Sequence, residues 1–207
     1  MTKVLGRMSS INVRKVLWTL DELELGYDRE DWGMPNRDPN VPEFTGLNPN
    51  AQVPVIVDEG FVLWESNAIM RYFAEKDGRG TVLPSLLRHR AIVEQWLQWQ
   101  ATELNPACGY AFHALRRKSA GYTDAERIAD SIAKWSGKMQ LLDARLKQAG
   151  EYVAHEKFSL ADIALGLSVH RWFETPFTRP ELPSVARYYA RLKARPAGAK
   201  FLTAETP

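Results

Sequence analysis

The stretch Asn48-Pro49-Asn50-Ala51-Gln52-Val53-Pro54-Val55-Ile56-Val57-Asp58-Glu59-Gly60-Phe61-Val62-Leu63-Trp64-Glu65-Ser66-Asn67-Ala68-Ile69 decides the fold. Val53 to Val57 and Phe61 to Leu63 are short apolar runs, and Asp58-Glu59-Gly60 between them is a turn signal, so the pair reads as a β-hairpin. Ser66 to Lys76 follows as a helix, with Ala68, Ile69, Tyr72 and Phe73 on one stripe and Ser66 as its cap. Upstream, Lys3-Val4-Leu5 is a short strand. Val13 to Leu25 repeats apolar residues at Val13, Val16, Leu17, Leu20 and Leu23, one face of a helix, and Gly26 is expected to end it. Tyr27 to Trp32 alternates as a second strand. The order βαβ, an irregular stretch, then ββα predicts a small α/β domain with a mixed sheet over residues 1–80.

Past Gly78 to Pro84 the strand signals vanish. Arg88 to Glu103 is helical, with Ile92, Trp96 and Trp99 on one side, and Asp124 to Gln148 is a long amphipathic helix. Ser159 and Ser184 are expected to open two more. Phe158-Ser159-Leu160-Ala161-Asp162-Ile163 fits a capping box, in which Ser159 and Asp162 satisfy each other's backbone N–H. The fold class is therefore α/β plus all-α, with residues 86–207 forming a helical domain.

Composition excludes several functions. Lysine and arginine outnumber aspartate and glutamate 27 to 25, too small an excess for nucleic-acid or acidic-membrane binding. Cys108 is the only cysteine, which leaves no disulfide, no CxxC pair and no cysteine metal cluster. His89, His113, His155 and His170 lack metal-ligand spacing, so no metal is expected. Met1 to Arg7 is too short and polar for a signal peptide, and no apolar run approaches the ~18 residues of a membrane span. A cytoplasmic location is expected.

Three segments carry candidate chemistry. Ser9-Ser10-Ile11-Asn12 precedes the first helix, where backbone N–H groups stabilise an anion such as a thiolate; the same serines also suit a plain N-cap. Pro54 starts a buried strand, where it removes a ladder donor. A cis Val53–Pro54 bond would turn Val53 outward as an edge for an extended peptide, within reach of Gln52; a turn proline without a ligand is the alternative. Ser66 at a helix start suits a carboxylate, and Glu65 beside it an ammonium group; separately, they are a cap and a solvated acid. Together the three describe a ligand with a peptide backbone, a free amino-acid end and a thiol.

These motifs resemble those of the cytosolic glutathione transferases over nearly the whole chain. Asn48-Pro49 with Val53-Pro54, then Glu65-Ser66-Asn67-Ala68-Ile69, is specific in combination. The chain is most similar to bacterial serine-type members of theta, phi or nu kind. The resemblance implies a thioredoxin-like N-terminal domain, a helical C-terminal domain and a homodimer. It implies that Ser10, followed by Arg14, Lys15 and Val16, activates the thiol. Ser10 and Asn12 also match the spacing of a pair that shares this task in nu-like members. Gln52, Val53, Glu65 and Ser66 would hold glutathione as co-substrate, with no further cofactor, and Pro54 would be cis. The expected partner is an electrophilic, partly apolar small molecule. Its candidate walls are Asn105, Pro106, Tyr110, His113 and Trp172, whereas Trp96, Trp99 and Trp135 suit core or interface. A glutathione-dependent disulfide reductase and a non-catalytic binding protein are the alternatives. Asn36-Arg37-Asp38 lacks the His-Lys pair that holds the glycyl carboxylate in some classes, and His155 replaces a frequent glycine.

Overall fold

The structure, a computed structural model, describes residues 1–204. It divides into two compact units, residues 1–83 and residues 84–204. The expected second segment runs to Pro207, and its last three residues lie outside those described.

The first unit is a thioredoxin-like domain. Its order is β1 (Thr2–Leu5), α1 (Ile11–Glu22), β2 (Tyr27–Glu30), a one-turn α2 (Pro42–Thr45), β3 (Val55–Asp58), β4 (Phe61–Trp64) and α3 (Ser66–Asp77). The sheet order is β2-β1-β3-β4, with β1 parallel to β2 and the other two pairings antiparallel. Leu5 pairs with Val55 and Val4 with Ile56. Because side chains alternate, the two rungs face opposite sides of the sheet. Leu5 and Val55 pack with Trp32 and Phe44. Val4 and Ile56 are also fully buried, as are Val13, Val16 and Leu20 of α1 and Ile69 and Met70 of α3. The hairpin turns at Glu59 (φ 53°) and Gly60 (φ 88°), the two positive-φ residues that match the twist of flanking strands.

Local punctuation differs from expectation in three places. Helix α1 ends at Glu22, and the left-handed residue after its Leu23 cap is Glu24 (φ 58°), not Gly26. Leu25 N–H bonds Leu20 O and Glu24 N–H bonds Asp21 O, the paired bonds of a Schellman motif. The motif is closed by those bonds and not by the nearest glycine. Second, the cap of α3 is Glu65, and Ser66 is its first helical residue. Third, Met34–Pro35 is cis alongside Val53–Pro54, and the sequence reading anticipated only the second.

Asp58 ties the hairpin to its neighbours. Its carboxylate accepts from Thr2 Oγ1 at 2.8 Å, Tyr72 OH at 2.6 Å and Lys76 Nζ at 2.6 Å. Burial alone would raise this carboxyl, but the bonds from Lys76, Tyr72 and Thr2 outweigh it and bring the pKa to about 2.

The second unit is all-α. A nearly continuous helix runs through α4 (Leu87–Trp99) and α5 (Asn105–Ala111), interrupted by π turns at Gln100–Leu104 and Phe112–Arg116. The helix was expected to end at Glu103. It continues because the first π turn, closed by Asn105 N–H to Gln100 O, accommodates Pro106, which has no N–H to donate. Then come α6 (Ala125–Ala149), α7 (Leu160–Glu174), α8 (Pro183–Ala194) and a short α9 (Pro196–Phe201) that the sequence reading did not separate. Helix α7 is buried on all sides from Leu160 to Trp172, which makes it the central element of this unit. The capping box at its start is formed: Ser159 N–H and Oγ both donate to Asp162 Oδ2 at 2.9 Å. Asp162 also accepts from Val153 N–H and Tyr188 OH. Burial pushes its carboxyl up to about 6 against the pull of those bonds. Helix α8 opens at Pro183, one residue before the expected Ser184, and its free N–H groups are bonded by Asp143 of α6, at 2.8 Å to Ser184 and 2.9 Å to Val185.

Two predictions follow from these contacts. Replacing Glu24 with Gly relieves a left-handed side chain and raises the urea midpoint, by the equivalent of about 1 kcal/mol. Asp58→Asn costs about 2 kcal/mol at pH 7. Because Asp58's folded pKa is depressed, its contribution is fully present above about pH 3.8 and is lost as pH falls through about 2. Wild type and variant should therefore converge in stability toward pH 2; a gap that stays constant from pH 7 to pH 2 contradicts this assignment.

Candidate functional site

A cleft of about 290 Å³ opens on the first unit, lined by Asn12, Asn48, Asn50, Gln52, Val53, Pro54, Glu65 and Ser66. Six of the seven residues singled out from the sequence line it. Asn48 and Asn50 were not among them. The seventh, Ser10, is not a lining residue; it caps α1 just outside.

The strand register explains the convergence. Val55 pairs with Leu5 on one side and with Trp64 on the other. The loop entering β3, the loop leaving β1 and the start of α3 therefore meet at one end of the sheet. Gly6 is required there: a Cβ on it would lie 2.4 Å from Val13 Cγ2 and 3.3 Å from Val53 Cβ.

Asn48 shapes the entering loop. It is 2% exposed, and its side chain donates to Gln52 O at 2.8 Å and accepts from Asn50 N–H at 3.1 Å. Ala51 adopts φ 51° within this knot. The loop delivers Val53 ahead of its cis bond to Pro54, and no other backbone group among the described residues engages Val53's N–H or C=O. That pair is an open hydrogen-bonding edge for an extended ligand. An asparagine before proline was the readable signal for this loop, but its wrapping around Gln52 is a tertiary outcome.

On the opposite wall, Glu65 stands at φ 73°, ψ 107°, outside the regions L-residues favour. Such strain costs about 1–3 kcal/mol and collects at binding sites. It sets Glu65 exposed and Ser66 buried at the start of α3. The first backbone N–H groups of that helix have no intrahelical partner and attract an anion. Ser66 Oγ donates to Asn12 Oδ1 at 3.3 Å, linking the two helix starts. The Asn12 amide N–H2 then remains as a donor. Ser10 has extended backbone, and its Oγ accepts from Val13 N–H at 3.5 Å, the long limit of a hydrogen bond. Its hydroxyl proton is thus available to an acceptor beside the cleft.

The protein's own thiol is unsuited to chemistry. Cys108 is buried and burial pushes its pKa up, against the opposing pull of Arg171. Among the described residues no three His, Cys, Asp or Glu side chains converge as metal ligands, and no helix is long and apolar enough to cross a membrane.

The residues named as second-substrate walls separate into two kinds. Trp172 is fully buried against Trp135 and Phe177, which makes it core, not wall. Asn105 is taken up by the Gln100 amide at 2.9 Å, and His113 bonds Ser119 at 3.0 Å and stacks on Tyr122. Pro106 and Tyr110 line a small pocket of about 150 Å³ within the helical unit. Trp135 and Trp96 are buried core as expected, and Trp96 with Trp99 also borders a largely apolar cleft between α4 and α6.

Comparison with known proteins identifies the family. A profile of the glutathione S-transferase N-terminal domain matches residues 2–75. Glutathione S-transferase GstB of Escherichia coli K12 is 33% identical over 198 residues, 93% of each chain. Disulfide-bond oxidoreductase YfcG of the same strain is 30% identical, over 90% of this chain and 87% of that one. The glutathione-bound theta class glutathione S-transferase of Xanthomonas axonopodis pv. citri superposes with a TM-score of 0.92 at 34% identity, covering 98% of this chain and 97% of that one. With a relative above 30% identity along nearly its full length, this chain belongs to the glutathione S-transferase family.

Proposed function

We propose that this transferase binds glutathione in the 290 Å³ cleft and activates its thiol for attack on an electrophilic, partly apolar small molecule. In this reading residues 1–80 form the glutathione-binding domain and 86–207 the helical one. The observation that carries it is the meeting, in one cleft, of an unpaired backbone edge at Val53, the α3 N-terminus at Ser66 and a carboxylate at Glu65. Glutathione matches each in turn. Its cysteinyl unit pairs with Val53. Its γ-glutamyl carboxylate takes the backbone N–H groups at Ser66, whose hydroxyl stays on Asn12, and its ammonium meets Glu65. Gln52 reaches the same backbone.

The thiol then lies toward the start of α1. A free thiol has a pKa of about 8.5 and needs help to ionise at neutral pH. Ser10 Oγ–H and the Asn12 amide supply donors to the sulfur anion, and the helix start adds its partial positive charge. The thiolate attacks the electrophilic carbon, the carbon–sulfur bond forms, and the leaving group departs with its electron pair. The enzyme contributes orientation as well as ionisation. A homodimer in the cytoplasm is part of this reading, and sedimentation as a single chain would remove the dimer from it. Similarity to YfcG favours a second activity, glutathione-dependent disulfide reduction. With Cys108 buried, both half-reactions would fall to glutathione sulfur.

Ultraviolet titration of the bound thiol is the deciding measurement. The wild-type pKa should lie a unit or more below that of free glutathione. Ser10→Ala should raise it by about 1–2 units, the worth of one charge-assisted hydrogen bond, with little change in affinity. The acid limb of kcat/KM should move to higher pH by the same amount. An unshifted thiol in the wild type would make the protein a glutathione-binding module instead. Glu65→Gly should have opposite effects on two readouts: stability rises by about 1 kcal/mol as the strain is relieved, while glutathione affinity falls. An unchanged affinity would remove Glu65 from the site.

A further inference from the structure

Arg7 lies in the turn between β1 and α1, three residues before Ser10, and its carbonyl accepts the Ser10 N–H at 3.1 Å. Its side chain runs beside Val53: a Cβ built on Gly33 would meet Arg7 Cδ and Val53 Cγ2 both at 3.6 Å. Two neighbouring arginines of this unit, Arg29 and Arg37, are satisfied, and a third, Arg14, is fully enclosed in α1 and out of a ligand's reach. Arg29 bonds Asp31 and Gly6 O, and Arg37 bonds Glu43 at 2.7 Å with its guanidinium 3.7 Å from the centre of the Trp32 ring. Arg7 differs from them. Its Nε is buried without a hydrogen-bond partner, and no carboxylate among the described residues pairs with it. A guanidinium N–H withheld from water and from any acceptor carries an uncompensated desolvation cost.

The cleft itself has the complementary shortage. Its one charged lining residue is Glu65, an anion, while glutathione brings two carboxylates and one ammonium. Ser66 accounts for one carboxylate and Glu65 for the ammonium, and the lining offers no cation for a further carboxylate. We propose that Arg7 is the carboxylate-recognition residue of this site, an inference that rests on the glutathione reading above. Nε–H and one terminal N–H of a guanidinium form a fork that matches two carboxylate oxygens, so one bound carboxylate satisfies the buried nitrogen and neutralises the charge. The carboxylate belongs either to the glycyl end of glutathione, which continues past Val53 away from Ser66, or to the electrophile.

Paired ligands differing only in that group test the proposal on the full-length protein and on Arg7→Gln. Calorimetric titration with glutathione and with its glycyl ethyl ester addresses the first source. Turnover of 4-(bromomethyl)benzoate against its uncharged amide addresses the second. In that reaction the sulfur bonds to the benzylic carbon, bromide leaves with the electron pair and the thiol proton goes to solvent. The expected result is a loss of about 10- to 100-fold for one acid in Arg7→Gln, with its neutral partner held within about threefold. A loss confined to glutathione assigns the glycyl carboxylate, and one confined to the benzoate assigns the electrophile. Arg7→Lys, which keeps the charge without the fork, should fall between and serves as the folding control. Equal treatment of acid and neutral ligand in both pairs overturns the proposal. A wild type that binds no glutathione overturns the cleft reading, and the Arg7 assignment with it; that outcome is distinguishable because no variant is needed to see it.

Discussion

The rung Leu5–Val55–Trp64 is the constraint on which the rest of the first unit depends. Val55 is the first residue of β3, Leu5 the last of β1 and Trp64 the last of β4. Antiparallel pairing places whatever precedes β3 next to whatever follows its two neighbours. Val53-Pro54, Gly6 to Ser10 and Glu65-Ser66 are therefore brought together by one line of cross-strand pairing. A slip of one residue would move Ile56 onto the side of Trp32 and Phe44 and Val55 onto the opposite side, so close packing on both faces holds this register.

Local strain and local bonding share the same end of the sheet. Ala51 and Glu65 both adopt positive φ without being glycine, and each borders the cleft region. Asn48 offsets part of that cost by bonding backbone on both sides of Ala51. The Ser66–Asn12 bond joins the starts of α3 and α1. Away from the cleft, Asp58 fastens the opposite end of the hairpin to β1 and α3 through three donors. The cleft end thus keeps an open backbone edge at Val53, while Asp58 at the far end takes three donors.

The second unit is organised around a buried polar group in the same way. Asp162 is fully enclosed, yet receives hydrogen bonds from Ser159, Val153 and Tyr188, three separate segments. A buried carboxyl is tolerable only with such partners. The box therefore does more than start α7: it draws the preceding loop and α8 onto the central helix.

Periodicity and local chemistry determined much of this protein without coordinates. The hairpin, α1, α3, the long α6 and the Ser159–Asp162 box were legible because their signals lie within a few residues of each other. The six cleft residues read from the sequence were legible through motif order. Other features needed the fold. Glu24 in place of Gly26, and Glu65 in place of Ser66 as cap, follow from hydrogen bonds that local propensity does not count. The continuation through Pro106 required a π turn, and the cap of α8 comes from Asp143, 41 residues away in another helix. Trp172 became core because α7 is enclosed on every side. Arg7 gave no motif signal, and the burial of its Nε without a partner is visible only in the fold. The sequence by itself determined the strands, the hairpin turn and the longer helices, because those depend on neighbours along the chain. Tertiary structure alone decided which polar groups are left without a partner, because that depends on neighbours in space.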